Sequence, residues 1–168
     1  MAITILRGHW VAFLVVSLVV GVVGLFLGPA IMTPAYRILQ PHLGAMTLTG
    51  VEMLFAFLID FPLATIASVI VTAVIGATRV EEGALAGAFF FIVFVLMILA
   101  CLMLAPLSPF INWLALGEVF PGAVASASGT LGTPTLGLLL ATFVAFDLTL
   151  CTLGGAAGNA FVALARRA

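Results

Sequence analysis

The sequence contains no lysine, and charged residues make up only 7% of its 168 positions. Soluble domains carry about 25% charged residues, so a chain this poor in charge cannot cover itself with a water-facing surface. The five cations are all arginines and are scattered along the chain at Arg7, Arg37, Arg79, Arg166 and Arg167. Because no basic patch is present to neutralise phosphates, we expect no nucleic-acid partner.

Cysteines, histidines and catalytic motifs are also scarce. Cys101 and Cys151 both lie in apolar runs, without a C-x-x-C spacing, and are typical of small buried residues. The phosphate-binding, nucleophile-elbow, H-E-x-x-H and dinucleotide motifs are absent. His9 and His42 are predicted on opposite sides of a membrane, where they could not share a metal. We therefore predict no enzymatic activity, no cofactor and no metal site.

Apolar residues are abundant instead, at 65% of the chain with a mean hydropathy of +1.43. Four runs are long enough to cross about 30 Å of hydrocarbon as helices: residues 10–28, 51–77, 83–104 and 135–164. The prolines within residues 29–50 predict an ordered interfacial loop with one short helix. The glycine, serine and threonine content of residues 123–133 predicts an irregular centre for the second connection, residues 105–134. We predict an all-α, multi-pass protein of the cell inner (plasma) membrane, with one four-helix domain over residues 1–168 and the lipid bilayer as its partner.

The arginines also predict the orientation of the chain. In a four-span topology Arg7, Arg79, Arg166 and Arg167 share the side of both termini, and Arg37 lies on the other side. Because cytoplasmic loops carry the excess of positive charge, both termini are predicted to be cytoplasmic.

The second half of the chain repeats part of the first. Asp60 and Arg79 stand 19 residues apart, as do Asp147 and Arg166, and a threonine follows each aspartate by five residues, at Thr65 and Thr152. This pattern predicts two tandem two-span repeats, residues 1–79 and 80–168. Since each repeat has an even number of spans, the copies would be related by an axis along the membrane normal.

The first repeat contains Gly44-Ala-Met-Thr-Leu48, followed by Leu54-Phe-Ala-Phe-Leu-Ile-Asp60 and an arginine-terminated span. This stretch resembles the small uncharacterised bacterial membrane proteins that are built from two tandem two-helix repeats. The resemblance implies the same layout and implies no catalytic residues.

Asp60 and Asp147 are the main candidates for a functional site. An ionised carboxylate in hydrocarbon costs roughly 2.5 kcal/mol or more, so each should face a partner, the bundle interior or water. Each lies on a face of small residues, which predicts that it points into the bundle, in the outer third of the membrane. One interpretation is a cation- or proton-binding pair with Thr65 and Thr152 nearby. The other is that each acid stays protonated, or bonds to a neighbouring backbone group, a threonine or Tyr36.

Small residues recur at helix-packing spacing in three further places. These are the pairs Gly24 and Gly28, Gly83 and Gly87, and Gly154 and Gly158. Such pairs let helix backbones approach closely, within one chain or between copies. Asn159, deep in the fourth span, is predicted to form a hydrogen bond between helices.

The sequence leaves two functions open. The small size favours an accessory or scaffold subunit of a membrane complex, or a small homo-oligomer. The paired acids favour the alternative, a small transporter or channel that handles cations or protons through Asp60 and Asp147. A shared cavity around the two carboxyl groups would favour the alternative.

Overall fold

The computed structural model describes residues 2–43, 46–76, 79–117 and 119–167, and the side chains within them except those of residues 2–8, 120, 126 and 130. These residues contain helices and no strand. The α-helices are α1 (Ala2–Leu43), α2 (Thr47–Phe55), α3 (Phe61–Ile75), α4 (Val80–Leu104), α5 (Pro109–Leu114), α6 (Phe120–Leu131) and α7 (Thr133–Ala165). A π-helical turn, Ala56–Asp60, joins α2 to α3, and a 3-10 turn, Ala105–Leu107, follows α4.

Four helical segments in the described ranges are long and apolar enough to cross a membrane: His9–Leu43, Thr47–Ile75, Val80–Leu107 and Thr133–Ala165. The prediction of an all-helical chain with four apolar spans is confirmed to this extent. Four such segments indicate a multi-pass membrane protein.

The first span is longer than predicted. The sequence predicts that it ends at residue 28 and gives way to a loop, but α1 continues through Pro29, Pro34 and Pro41. Each proline removes only one helical hydrogen bond, and neighbouring helices make prolines tolerable in membrane spans. Met32 and Tyr36, within this stretch, are buried in the core. Packing of this stretch against the bundle therefore outweighs the local effect of the prolines.

The second connection is also more regular than predicted. The sequence predicts an irregular centre, but this centre contains α6, which has Pro121 in its first turn. Ala123 and Ala127 on this helix are fully buried and belong to the main core, and α6 packs on α2. Tertiary packing thus overrides the weak helix propensity of the glycine and serine residues. Gly132, with a positive φ of 71°, separates α6 from α7.

The turn between the second and third spans is described in part. Gly76 ends α3 with a positive φ of 69°, a left-handed conformation that glycine adopts without a side-chain clash, and its N–H bonds to the carbonyl of Thr72. Arg79 precedes α4, and its backbone N–H donates to Oε2 of Glu82 at 3.0 Å. Residue 77, predicted at the end of the second span, and residue 78, predicted in a tight turn over residues 78–82, lie outside the described residues, as do Gly44 and Ala45.

The bundle is organised around α7 and α4. Helix α7 packs against both α3 and α4, and α1 packs against α4 and α3 on the other side. Phe90 and Phe94 of α4 are buried in the centre, with their rings stacked at 5.4 Å between centroids. The acidic residues of the second and fourth spans lie beside this aromatic core.

Candidate functional site

A π-helical turn in the second span ends at Asp60, two residues before Pro62. Proline has no backbone N–H, and its ring crowds the carbonyl four residues back. In the wider turn the N–H of Phe61 bonds to the carbonyl of Ala56, five residues earlier, which accommodates the proline. Asp60 ends this turn and is only 2% exposed. Single π-helical turns inside α-helices are frequent at functional sites.

Three carboxyl groups from separate segments line one cavity. Glu52 of α2, Asp60 of the π-helical turn and Asp147 of α7 all contribute to a cavity of about 180 Å³. The side chains of Glu52 and Asp147 are 5% and 8% exposed. The structure thus brings the two predicted acids to one cavity and adds a third.

The three carboxyl groups interact with one another. The side chains of Glu52 and Asp147 are hydrogen-bonded, and Asp60 is close enough to both to repel them electrostatically when they are ionised. A carboxylate is an acceptor only, so a hydrogen bond between two carboxyl groups requires a proton on one of them. A hydrogen bond between Glu52 and Asp147 can therefore exist only while one of the two carries a proton.

Two buried carboxyl oxygens in this cluster have no hydrogen-bond partner in the described part of the chain. They are Oδ1 of Asp60 and Oδ1 of Asp147. Buried polar atoms are almost always paired, because an unpaired one loses its hydration without compensation. Two such atoms at one cavity are consistent with a site that binds a polar or charged species.

The remaining walls of the cavity are apolar, and much of this surface is aromatic. Four of the lining residues are phenylalanines, from three helices: Phe55, Phe91, Phe94 and Phe143. Leu99 of α4 and Val144 of α7 also line the cavity, and they are 49% and 55% exposed on the outside of the bundle. The cavity therefore reaches the lipid-facing surface between α4 and α7.

The predicted threonine neighbours do not line this cavity. The hydroxyl of Thr65 donates to the carbonyl of Phe61 at 2.8 Å, and that of Thr152 donates to the carbonyl of Leu148 at 2.7 Å. Both hydroxyl hydrogens are therefore used within their own helices. Although Thr65 and Thr152 occupy equivalent positions in the two predicted repeats, neither belongs to the carboxyl cluster.

Glycines allow close backbone approach on one side of the cluster. A Cβ atom on Gly83 or Gly87 of α4 would collide with backbone atoms of Gly155 or Cys151 on α7. A Cβ on Gly154 or Gly158 of α7 would meet backbone oxygens of α3 in the same way.

The glycines of the first span are less constrained by the backbone of their neighbours. At Gly24 a Cβ would overlap the side chains of Leu63 and Phe94. At Gly28 it would make only an ordinary contact with the ring of Phe55.

Polar side chains tie the same helices together. Nδ2 of Asn159 donates to the carbonyl of Arg79, and Oγ of Ser68 donates to the carbonyl of Gly155 at 2.6 Å. The thiol of Cys151 lies 3.8 Å from the carbonyl oxygen of Asp60, as a weak donor. Helices α3, α4 and α7 are thus held in fixed register next to the carboxyl groups.

Glu52 is the site residue that sequence reasoning missed. The second span is predicted to begin at residue 51, which places Glu52 at the edge of the span rather than inside it. The span begins at Thr47, so Glu52 lies inside an apolar helix. An ionisable residue in that position is itself a signal of function, and a correct span boundary would have revealed it.

A metal centre is not formed by these groups. Within the described residues, no three or more His, Cys, Asp or Glu side chains are arranged to hold a metal ion.

Comparisons with known protein families, curated proteins and solved structures give no match. The fold and the site therefore define the protein by class, as a multi-pass helical membrane protein with a buried cluster of three carboxyl groups.

Proposed function

We propose that the protein is a small transporter- or channel-type membrane protein that binds and releases a proton or a monovalent cation at Glu52, Asp60 and Asp147. The observation that carries this proposal is the shared cavity, in which three buried carboxyl groups meet and two of their oxygens lack a partner in the described chain. Ionisable residues inside membrane spans are costly, and they commonly mark ion pathways or proton relays. The proton of the Glu52–Asp147 pair is the first species to consider, since that pair needs it in order to form.

The experiment measures proton movement into liposomes that contain the purified protein and a trapped pH dye, driven by a potassium diffusion potential. We expect flux with the parent and a loss of flux with Asp60→Asn, Asp147→Asn and Glu52→Gln. Glu81→Gln is the matched control, because Glu81 is an exposed residue in the first turn of α4. Circular dichroism and gel filtration check that each variant is folded.

Infrared spectroscopy of the same samples gives a second readout. The carboxylic-acid carbonyl band should change with pH in the parent and lose intensity in each of the three site variants. Two results together would contradict the proposed function. The parent would move neither protons nor monovalent cations, and its buried carboxyl groups would not titrate between pH 4 and pH 10, a range of about six decades in proton concentration.

A tandem repeat with both termini in the cytoplasm is part of the same proposal. Asp60 and Asp147 occupy equivalent repeat positions, and both lie at the cavity. Ser68 and Gly155 are equivalent by the same sequence offset, and they are hydrogen-bonded to each other. Contacts between equivalent positions support an approximate twofold axis between α3 and α7. Cysteine-accessibility labelling at both ends of the chain tests the orientation.

A scaffold or homo-oligomer function is the second candidate, and one observation favours it. A Cβ atom on Gly129 of α6 or Gly137 of α7 would touch nothing within 4 Å. These glycines are therefore not used for packing inside the described bundle, and small residues on an open helix surface suit a partner helix. Extraction in a mild detergent followed by mass measurement tests this candidate. A monomer without stoichiometric partners would contradict it.

A further inference from the structure

The carboxyl cavity has two chemically different parts. Glu52, Asp60 and Asp147 form its acidic part, and phenylalanine rings form much of the rest. No arginine or histidine of the described chain lines it, so a bound species receives negative charge and aromatic faces together. Aromatic faces attract cations through the ring quadrupole, and carboxylates accept hydrogen bonds from ammonium groups.

The volume of the cavity limits the size of its occupant. A dry protein cavity of about 150 Å³ holds one benzene molecule, and this cavity measures about 180 Å³. A single ring with a short arm fits that space, whereas a bulkier ion would require the helices to separate. A metal ion is disfavoured by the side-chain arrangement already described.

The position of the opening limits the route of access. Leu99 and Val144 are half exposed where α4 and α7 face the bilayer. A species that reaches the cavity between these two side chains comes from the hydrocarbon region and must itself be partly apolar. A hydrogen-bond donor on that species would satisfy Oδ1 of Asp60 and Oδ1 of Asp147, which lack protein partners in the described chain, and a cationic donor also matches the charge of an ionised carboxylate.

We propose that the cavity binds a small amphiphilic ammonium ion, of about the size of one aromatic ring with an aminomethyl arm, which enters from the bilayer. This inference rests on the proposed function, since it needs carboxyl groups that can lose a proton. When the ammonium ion binds, its N–H groups donate to the carboxyl oxygens and the proton of the Glu52–Asp147 pair leaves to water. The charge of the site is thereby conserved: one cation enters and one proton departs.

The test uses the full-length protein in phosphatidylcholine nanodiscs, with empty nanodiscs as the blank. The probes are 4-fluorobenzylammonium and its neutral analogue 4-fluorobenzyl alcohol, each followed by fluorine NMR. We expect the ammonium ion to bind roughly tenfold or more tightly than the alcohol, because only the ion pairs with a buried charge. Proton release should accompany its binding in a weakly buffered solution that contains a pH dye.

Two matched variants test the location of the site. Val144→Phe fills the opening and should weaken binding of the ammonium ion by roughly tenfold or more, since its ring occupies the space of the ligand. Val74→Phe makes the same change at an exposed position of α3 that does not line the cavity, and it should bind as the parent does. Asp147→Asn should abolish the preference for the ammonium ion over the alcohol.

Equal binding of the two probes, or equal effects of Val144→Phe and Val74→Phe, would overturn this inference. The infrared titration separates the two proposals. Carboxyl bands that titrate without binding of the ammonium ion would overturn the ammonium site and leave the proposed function standing. Bands that do not titrate, together with no binding, would overturn both.

Discussion

The side chains of Glu52 and Asp147 are hydrogen-bonded to each other, although one lies near the start of the second span and the other in the middle of α7. Both residues are acidic and both are buried. The pair links α2 to α7 through two carboxyl groups that are buried and not exposed to water. The contact between the two side chains therefore depends on the relative positions of α2 and α7.

A double-mutant cycle measures this link. We expect Glu52→Gln and Asp147→Asn to change the free energy of unfolding non-additively, with a coupling of about 1 kcal/mol, as is usual for residues in contact. Reversible unfolding in mixed micelles gives the four values. The cycle of Glu81→Gln with Asp147→Asn is the control, and it should show additivity because Glu81 is exposed at the N-terminal end of α4. Additive effects for Glu52 and Asp147 would contradict a direct interaction.

Gly87→Ala tests the close approach of α4 and α7. The added methyl group would overlap the backbone of Cys151, and we expect a loss of about 1–3 kcal/mol in the free energy of unfolding from overpacking. Gly137→Ala is the matched control, because its methyl group would meet nothing within 4 Å, and a helical alanine is favoured over glycine. A thermal melt in detergent that ranks the two variants in the opposite order would count against this interface.

Ser68→Ala removes the hydrogen bond to the carbonyl of Gly155, which measures 2.6 Å. Hydrogen bonds between membrane helices contribute about 0.6 kcal/mol on average, and we expect a loss of that order in the free energy of unfolding. Ser128→Ala is the control, since that hydroxyl is exposed and bonds to the carbonyl of Ala125 in its own helix. Losses of the same size at both positions would show that the interhelical bond adds nothing.

Pro62→Ala tests the origin of the π-helical turn. With an N–H restored at position 62, the second span can continue as a regular α-helix, and Asp60 should rotate away from the cavity. We expect several-fold slower modification of Asp60 by a hydrophobic carbodiimide, followed by peptide mass spectrometry. Pro34→Ala on α1 is the control, because Pro34 lies outside the cavity lining. Unchanged labelling of Asp60 in Pro62→Ala would show that the proline does not determine the position of Asp60.

The sequence is informative about the spans because their apolar length is a direct physical requirement of the bilayer. It is less informative where packing decides the local structure. The prolines of α1 and the small residues of α6 both predict irregular backbone, and both segments are helical because neighbouring helices bury one of their faces. In both segments the helix-breaking residues predict an irregular backbone, and burial of one helix face outweighs their effect.

The candidate site is predictable in part for a similar reason. Asp60 and Asp147 are identifiable as isolated acids in apolar runs, and the structure places both at one cavity. Glu52 escapes notice because its role depends on where the second span begins. The aromatic walls could not be predicted, since phenylalanines of three helices meet only when the crossing of those helices is known.

The glycine contacts between α4 and α7 also limit the space available to an ion between these two helices. On these two helices the cavity is lined from Phe91 to Leu99 and from Leu140 to Asp147, and the next turns on one side are closed by Gly83 and Gly87 against α7. The touching backbones leave no space between α4 and α7 at these turns. Passage between these two helices on that side would therefore require α4 and α7 to move apart there.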